Sequence, residues 1–526
     1  VTAYLLLINC SNNRLLGETA KYIAFKISHF LSYHPTRCNP AAIPPQSRGP
    51  KPKMTTAPET TGEKGQRPPP MRGWAYHHWQ NIRLAMPIVI GALSVIGITT
   101  ADIIAMGWID SINLAAGSLG QRYYQPVYFF ALGMTLPVGA LIAQALGARD
   151  DRQIRRALRQ GLVIGVAIGI LFAPLVIAGP KILVWLGQDP ELSHMATDYL
   201  IWSAVGLPFN FIFFVLRQYI VAHQHPLPQV IATLLGLAFN IIGNYAFIHG
   251  IGPVPAMGLA GIALATTLTW LLVSIGLMIY IATTEPYKSS KPFQRLWVMD
   301  WQITRRITTL GFPIGLTIVA ESGMFIAIGL LIGLFGTAGL AASAIANQIA
   351  AVAFMVPIAL GQAGTIRVAH YAGRQDRQNL GRSAHSVMLV GILVTSVTMA
   401  VLLIWPEALV DIYLNPDDPL LDEVVALALP MVLIAALFQI PDGLQGIANS
   451  VLRGLNDTRI PALLAISSFW LFGVGGGILM GFTFEFGPVG VWAGLLVGLA
   501  ASALALAWRM QRGLDRLKAG GRILSG

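Results

Sequence analysis

Between Asn81 and Arg509 long apolar runs alternate with short polar links, and about twelve runs reach the ~20 residues a helix needs to span a ~30 Å hydrocarbon core. Lipid offers no hydrogen bonds to an irregular backbone, so runs of this kind are expected to be helical. The links leave no room for a sizeable soluble domain. The predicted fold class is an all-α polytopic membrane protein.

The pattern is written twice. The opening LAMPIVIG at Leu84 returns as LGFPIGLT at Leu310, and LPVGALIAQALGARDDRQIRRAL returns as VPIALGQAGTIRVAHYAGRQDRQNLGRSA. LRQYIVAHQHPLPQVIATLL is echoed by LRGLNDTRIPALLAI, and PAMGLAGIALA by FGPVGVWAGLL. Pro87 to Pro313, Pro137 to Pro357 and Arg217 to Arg453 are offsets of roughly 220 to 236 residues, the signature of a duplicated two-lobe transporter. The expected division is an N-lobe over 74–290 with helices 1 to 6 and a C-lobe over 291–510 with helices 7 to 12. Six helices return the chain to its starting side, so the internal repeat relating the two six-helix lobes is parallel.

Composition agrees: 55% of residues are hydrophobic and 11% charged, against roughly a quarter charged in soluble domains. The net charge of +11 is concentrated in alternate links. One carries Arg149, Arg152, Arg155, Arg156 and Arg159; another Lys288, Lys291, Arg295, Arg305 and Arg306; a third Arg367, Arg374, Arg377 and Arg382. Arg453 and Arg459 follow, then a basic tail over 511–526. The intervening links hold little beyond Arg122 and Lys181. This is positive-inside asymmetry, which places both termini in the cytoplasm and makes the charge an orientation signal, not a nucleic-acid footprint.

Residues 1–73 differ in kind. They hold both cysteines, Cys10 and Cys38, and a Pro-rich polar stretch expected to be disordered. Translation is expected to start at Met54 or Met71, the earlier residues being an extension. With no cysteine in the bundle, thiol and disulfide chemistry are excluded there.

Three acids fall inside predicted spans: Asp102 in the first, Glu321 in the seventh and Asp442 in the tenth. An ionised carboxylate at a helix centre costs about 2.5–3.5 kcal/mol on insertion scales, so such residues face a cavity or a partner. Asp102 and Glu321 are read as nearly matching, each a turn or two beyond Pro87 or Pro313. No span supplies a basic partner, which leaves cation binding as the economical use. Asn240 and Asn244 share a helix face, Thr266 and Thr267 lie in the sixth span, and Asn347, Gln348 and Gln362 in the eighth. Gln439, Gln445 and Asn449 flank Asp442. Their oxygens suit small cations. Pro87, Pro313 and Pro441 each remove a helix hydrogen bond and offer a bending point.

ADIIAMGWIDSINLAAGSLG, PVGALIAQALGARD, ESGMFIAIGLLIGLFGTAGLAASAIANQ and PDGLQGIANSVLRGLNDTRIP together resemble the multidrug and toxic compound extrusion (MATE) transporters, NorM-type branch. The resemblance covers Leu84 to Arg509. It implies a monomeric, non-enzymatic antiporter in the bacterial inner membrane that needs no cofactor and exports amphipathic, often cationic compounds in exchange for Na⁺ or H⁺. Glu321 and Asp442 match the family's C-lobe cation pair, where Na⁺ would bind. Asp102 matches the N-lobe acid, with Asn240 and Asn244 beside it. The family often has Tyr four residues before the tenth-helix acid; here Phe438 keeps the ring and loses the hydroxyl. Phe438, Gln348, Gln439, Thr266 and Met355 are expected around the sites or the substrate cavity, with Met134 and Phe325 as further wall residues.

Three rivals remain. Lipid-linked precursor flippases share the duplicated bundle, but they tend to need cavity cations, and Arg217 reads as a helix end. An intramembrane enzyme would need clustered His, Glu or Ser within spans, and the histidines sit mostly in links. A scaffold would tolerate loss of all three acids.

Overall fold

The computed structural model describes residues 73–251, 255–414 and 420–521. Within them twelve helices are long and apolar enough to cross a membrane. They are α1 (Trp74–Ile109), α2 (Ser111–Ala148), α3 (Asp151–Ile177), α4 (Pro190–Ala222), α5 (Leu227–His249) and α6 (Gly258–Thr283), then α7 (Trp301–Gly333), α8 (Thr337–Gly373), α9 (Arg377–Ile404), α10 (Leu421–Gly454), α11 (Arg459–Thr483) and α12 (Gly487–Lys518). The expected extension, both cysteines, Met54 and Met71 lie outside the described residues. The basic tail begins inside α12, which stays helical to Lys518.

Acids in the links have a local task. Asp150 and Asp376 occupy equivalent places before α3 and α9, and each accepts a hydrogen bond from the backbone NH three residues on, at Gln153 (2.9 Å) and Asn379 (3.1 Å). Asp110, Asp189 and Asp300 cap α2, α4 and α7 in the same manner. A side-chain oxygen there satisfies backbone donors that the first helical turn leaves open. These caps set where each span begins.

Small residues set how closely the spans approach. In α11 the helix loosens to π geometry over Ser468–Val474 and Leu479–Thr483. Here Gly473 and Gly477 lie against Gly494 and Gly498 of α12, where an added Cβ would press on facing backbone. Without a hydrophobic driving force between helices in lipid, such close contact is what holds them.

The lobes meet mainly through α2 against α7 and α8, and through α1 against α8 and α9. Gly133 faces the backbone of Gly315, and a Cβ on Gly311 would sit 2.6 Å from the Met134 carbonyl oxygen. Nearer the Arg-rich links, Gly147 abuts the His370 carbonyl and Gly373 that of Gln144. Polar bonds across the lobes gather at this basic end. Arg367 of α8, 3% exposed, donates to the His77 carbonyl (2.7 Å), Asn81 Oδ1 (2.7 Å) and His77 Nδ1 (3.0 Å) of α1. Gln144 Nε2 donates to the Gly454 carbonyl (3.0 Å) and its Oε1 accepts from Asn456 Nδ2 (3.0 Å). The segment between the lobes is strapped to α3 by Gln160 on the Val298 carbonyl (3.0 Å) and by the Arg156–Asp300 ion pair.

Candidate functional site

The intramembrane acids fall into two separate constellations. Asp102 of α1, 3% exposed, meets α5 and α6. Its Oδ1 accepts from Asn240 Nδ2 (3.1 Å) and Asn244 Nδ2 (2.9 Å), and its Oδ2 from Thr266 Oγ1 (2.7 Å). Asn240 also donates to Thr266 Oγ1 (2.9 Å), and Asn244 to Asn240 Oδ1 (3.3 Å). The one-turn spacing of the asparagines turns both amides to the same carboxylate. Asn244 Oδ1 is buried without a partner among the described residues. Three donors solvate this buried carboxylate, and turning the amides over would bring their oxygens beside its own. In that flipped orientation the site is lined by carboxylate, amide and hydroxyl oxygens.

The second constellation joins α7 and α10. Gln445 Nε2 donates to Glu321 Oε1 (2.7 Å) and to Asp442 Oδ1 (3.3 Å). Asp442 is 4% exposed and Glu321 half-buried. Two carboxylates thus share one amide donor. Like charges linked this closely in a water-poor interior repel, and one monovalent cation, a proton or a metal ion, relieves the repulsion.

Several expectations are corrected by this geometry. Asp102 and Glu321 are not equivalent: Asp102 lies fifteen residues past Pro87 and Glu321 eight past Pro313, a stagger of about two turns. Asp102 is accordingly nearer the end of the bundle away from the basic links, and Glu321 and Asp442 lie near the middle of their helices. Pro87 is therefore remote from any acid; Pro313 and Pro441 are closer, and the helix runs on through all three. Arg453, near the end of α10, forms no ion pair with Glu321. Arg217 lies near the end of α4, as read, but is 7% exposed and reaches across the lobes to Gln362 Oε1 (3.2 Å).

The subsidiary residues divide. Thr266 bonds Asp102 directly. Phe438 is fully buried and packs on Trp492, 6.3 Å between ring centroids, so it belongs to the C-lobe core and not to a cavity wall. Gln439, 1% exposed, has neither amide atom partnered among the described residues. Gln348 is exposed on α8 and Met355 half-buried. Sequence reading noted Gln445 only as a neighbour of Asp442; its three-residue spacing from Asp442, which puts the two side chains on one helix face, was the available signal. It gave no hint of Arg367, His77 and Asn81, because pairing across the lobes leaves no local pattern.

Comparison with known proteins adds the ancestry of this arrangement. The MatE family model matches residues 87–246 and again 313–479, once in each lobe. A probable multidrug resistance protein NorM from Rhizobium meliloti is 34% identical over 446 residues, covering 85% of this chain and 96% of that protein. The NorM of Mesorhizobium japonicum is 35% identical, over 84% and 94%. Among solved structures, the eukaryotic MATE transporter AtDTX14 superposes with a TM-score of 0.74 at 19% identity, over 86% of this chain and all of that one. An outward-facing multidrug resistance MATE transporter reaches 0.76 at 17% identity, over 84% and 97%.

Proposed function

Because this chain belongs to the MatE family, we propose that it is a multidrug exporter coupling the outward movement of amphipathic, often cationic compounds to inward movement of Na⁺ or H⁺. The observation that carries this reading is the single amide of Gln445 held by both Glu321 and Asp442. A pair of carboxylates with one shared donor gains most from a single added positive charge, and that gain can bias the arrangement of the lobes. The Asp102 constellation offers the second such place, with oxygens from Asn240, Asn244 and Thr266.

In this account the basic end faces the cytoplasm of a bacterial inner membrane, following the positive-inside rule. The inter-lobe bonds at that end then hold an outward-open form. A cation entering from outside neutralises one of the acid sites and favours drug release; rocking of the lobes breaks the Arg367 and Gln144 contacts and opens the cytoplasmic side. A membrane potential of 100 mV supplies about 2.3 kcal/mol per charge moved, or roughly forty-fold for a neutral substrate with one net charge inward per cycle. A cationic substrate exchanged one for one relies on the chemical gradient of the ion alone.

The test is drug resistance and efflux of Asp442→Asn at matched expression. The reading expects active efflux to be abolished in a folded protein; normal resistance removes Asp442 from the mechanism. The relatives' NorM identity and the neutral surroundings of Asp102 favour this reading over a lipid-linked precursor flippase.

A further inference from the structure

Between the lobes, below the acid sites, lies a small void lined by Leu136 and Ala140 of α2, Gln218 of α4, Gln362 and Thr365 of α8, and Arg453 of α10. The repeat pairs α2 with α8 and α4 with α10, so the void lies where the two halves of the duplication face each other. Its space for water centres is about 20 Å³, room for one or two waters or one small ion.

Two guanidinium groups border this void. Arg453 lines it directly, and its Nε is buried with no partner. Its terminal Nη2 donates to Ser450 Oγ. Arg217 abuts the wall through its bond to Gln362 Oε1. Neither arginine forms an ion pair among the described residues. Buried cations are ordinarily paired or solvated by a specific group. An unpartnered guanidinium NH, amide side chains and a void of single-ion size meet here.

We propose that this void is a binding site for a small monovalent anion of the halide type, held by Arg453 with the amides of Gln218 and Gln362 and the field of Arg217. Gln218 and Arg217 belong to the N-lobe, and Gln362, Thr365 and Arg453 to the C-lobe, so the site is whole only while the lobes meet at the basic end. The anion therefore stabilises that closed end. Its effect on transport rests on the rocking-lobe reading given above; its binding does not.

The test uses the purified full-length chain in lipid nanodiscs. Thermal stability is followed on replacing gluconate by chloride or bromide at constant Na⁺ and ionic strength, and bromide is located by anomalous diffraction in crystals. The expected result is a saturable rise in Tm with halide, an apparent affinity at least ten-fold weaker in Arg453→Gln and in Gln218→Leu, and a bromide peak in the void. Equal Tm in gluconate and halide overturns the site, as does an unchanged halide response in both variants or a void holding water alone. Halide binding alongside failed drug efflux would retain the site and remove only the transport reading.

Discussion

Glu321 on α7 and Asp442 on α10 are joined through one amide: Gln445 Nε2 lies 2.7 Å from the first carboxylate and 3.3 Å from the second. The shared donor makes the pair one functional unit, because a charge added to either acid changes what the other feels. Removing either carboxylate should then be as damaging as removing both. Glu321→Gln, Asp442→Asn and the double variant are each expected to lose at least ten-fold in active efflux, without additive loss in the double. Transport assays at matched expression check this; additive losses would separate the acids.

The Asp102 constellation predicts a stability effect beside the transport effect. Thr266→Val removes a donor from a buried carboxylate and should destabilise the protein by about 1–3 kcal/mol. Asn244→Leu removes the amide that donates to both Asp102 and Asn240, and should be at least as harmful. Thermal melts of both variants in nanodiscs provide the measurement, with Asp102→Asn/Thr266→Val as the pair that should show less than the summed cost.

Gln144 and Asn456 hydrogen-bond across the lobes at the basic end. Replacing both by cysteine, in a background with Cys10 and Cys38 changed to serine, should allow a short thiol-reactive linker to fasten the two lobes. The account expects cross-linking to stop efflux and a reducible linker to restore it on reduction. Full efflux by the cross-linked protein would mean that this end need not open.

A pH effect is expected at Asp300, which lies in the link before α7. The hydrogen bond from Arg156 holds its carboxyl below the usual carboxylate range. A depressed folded pKa adds stability that is present above the unfolded value of about 3.9 and fades as pH falls through the folded one. Asp300→Asn should therefore lower Tm slightly near neutral pH, and the difference from wild type should vanish in strong acid. A difference that persists there would assign the effect to altered packing or capping geometry at the start of α7 rather than to charge.

Much of this was legible in the chain. Lipid imposes helices on apolar runs, so twelve spans follow from run length, and shared prolines and loop acids such as Asp150 and Asp376 expose the duplication. The identity of the acids was equally plain, since few carboxylates lie within the spans. Their relative depth was not: aligning Pro87 with Pro313 invites equating Asp102 with Glu321, but the true stagger is visible only on counting, and their different partners only in three dimensions. That Arg217 is buried and reaches Gln362 in the other lobe was not legible, because a place near a helix end in sequence does not tell whether a second lobe covers it. Phe438 was placed at the site by the family resemblance, although its ring is buried in the core against Trp492.

The most direct measurement is efflux of a fluorescent cation from proteoliposomes under a Na⁺ gradient or a pH gradient imposed separately, with wild type beside Asp442→Asn. The account predicts that at least one gradient drives wild-type transport and that neither drives the variant. Equal transport by both proteins under the effective gradient would contradict cation coupling through the Glu321 and Asp442 pair.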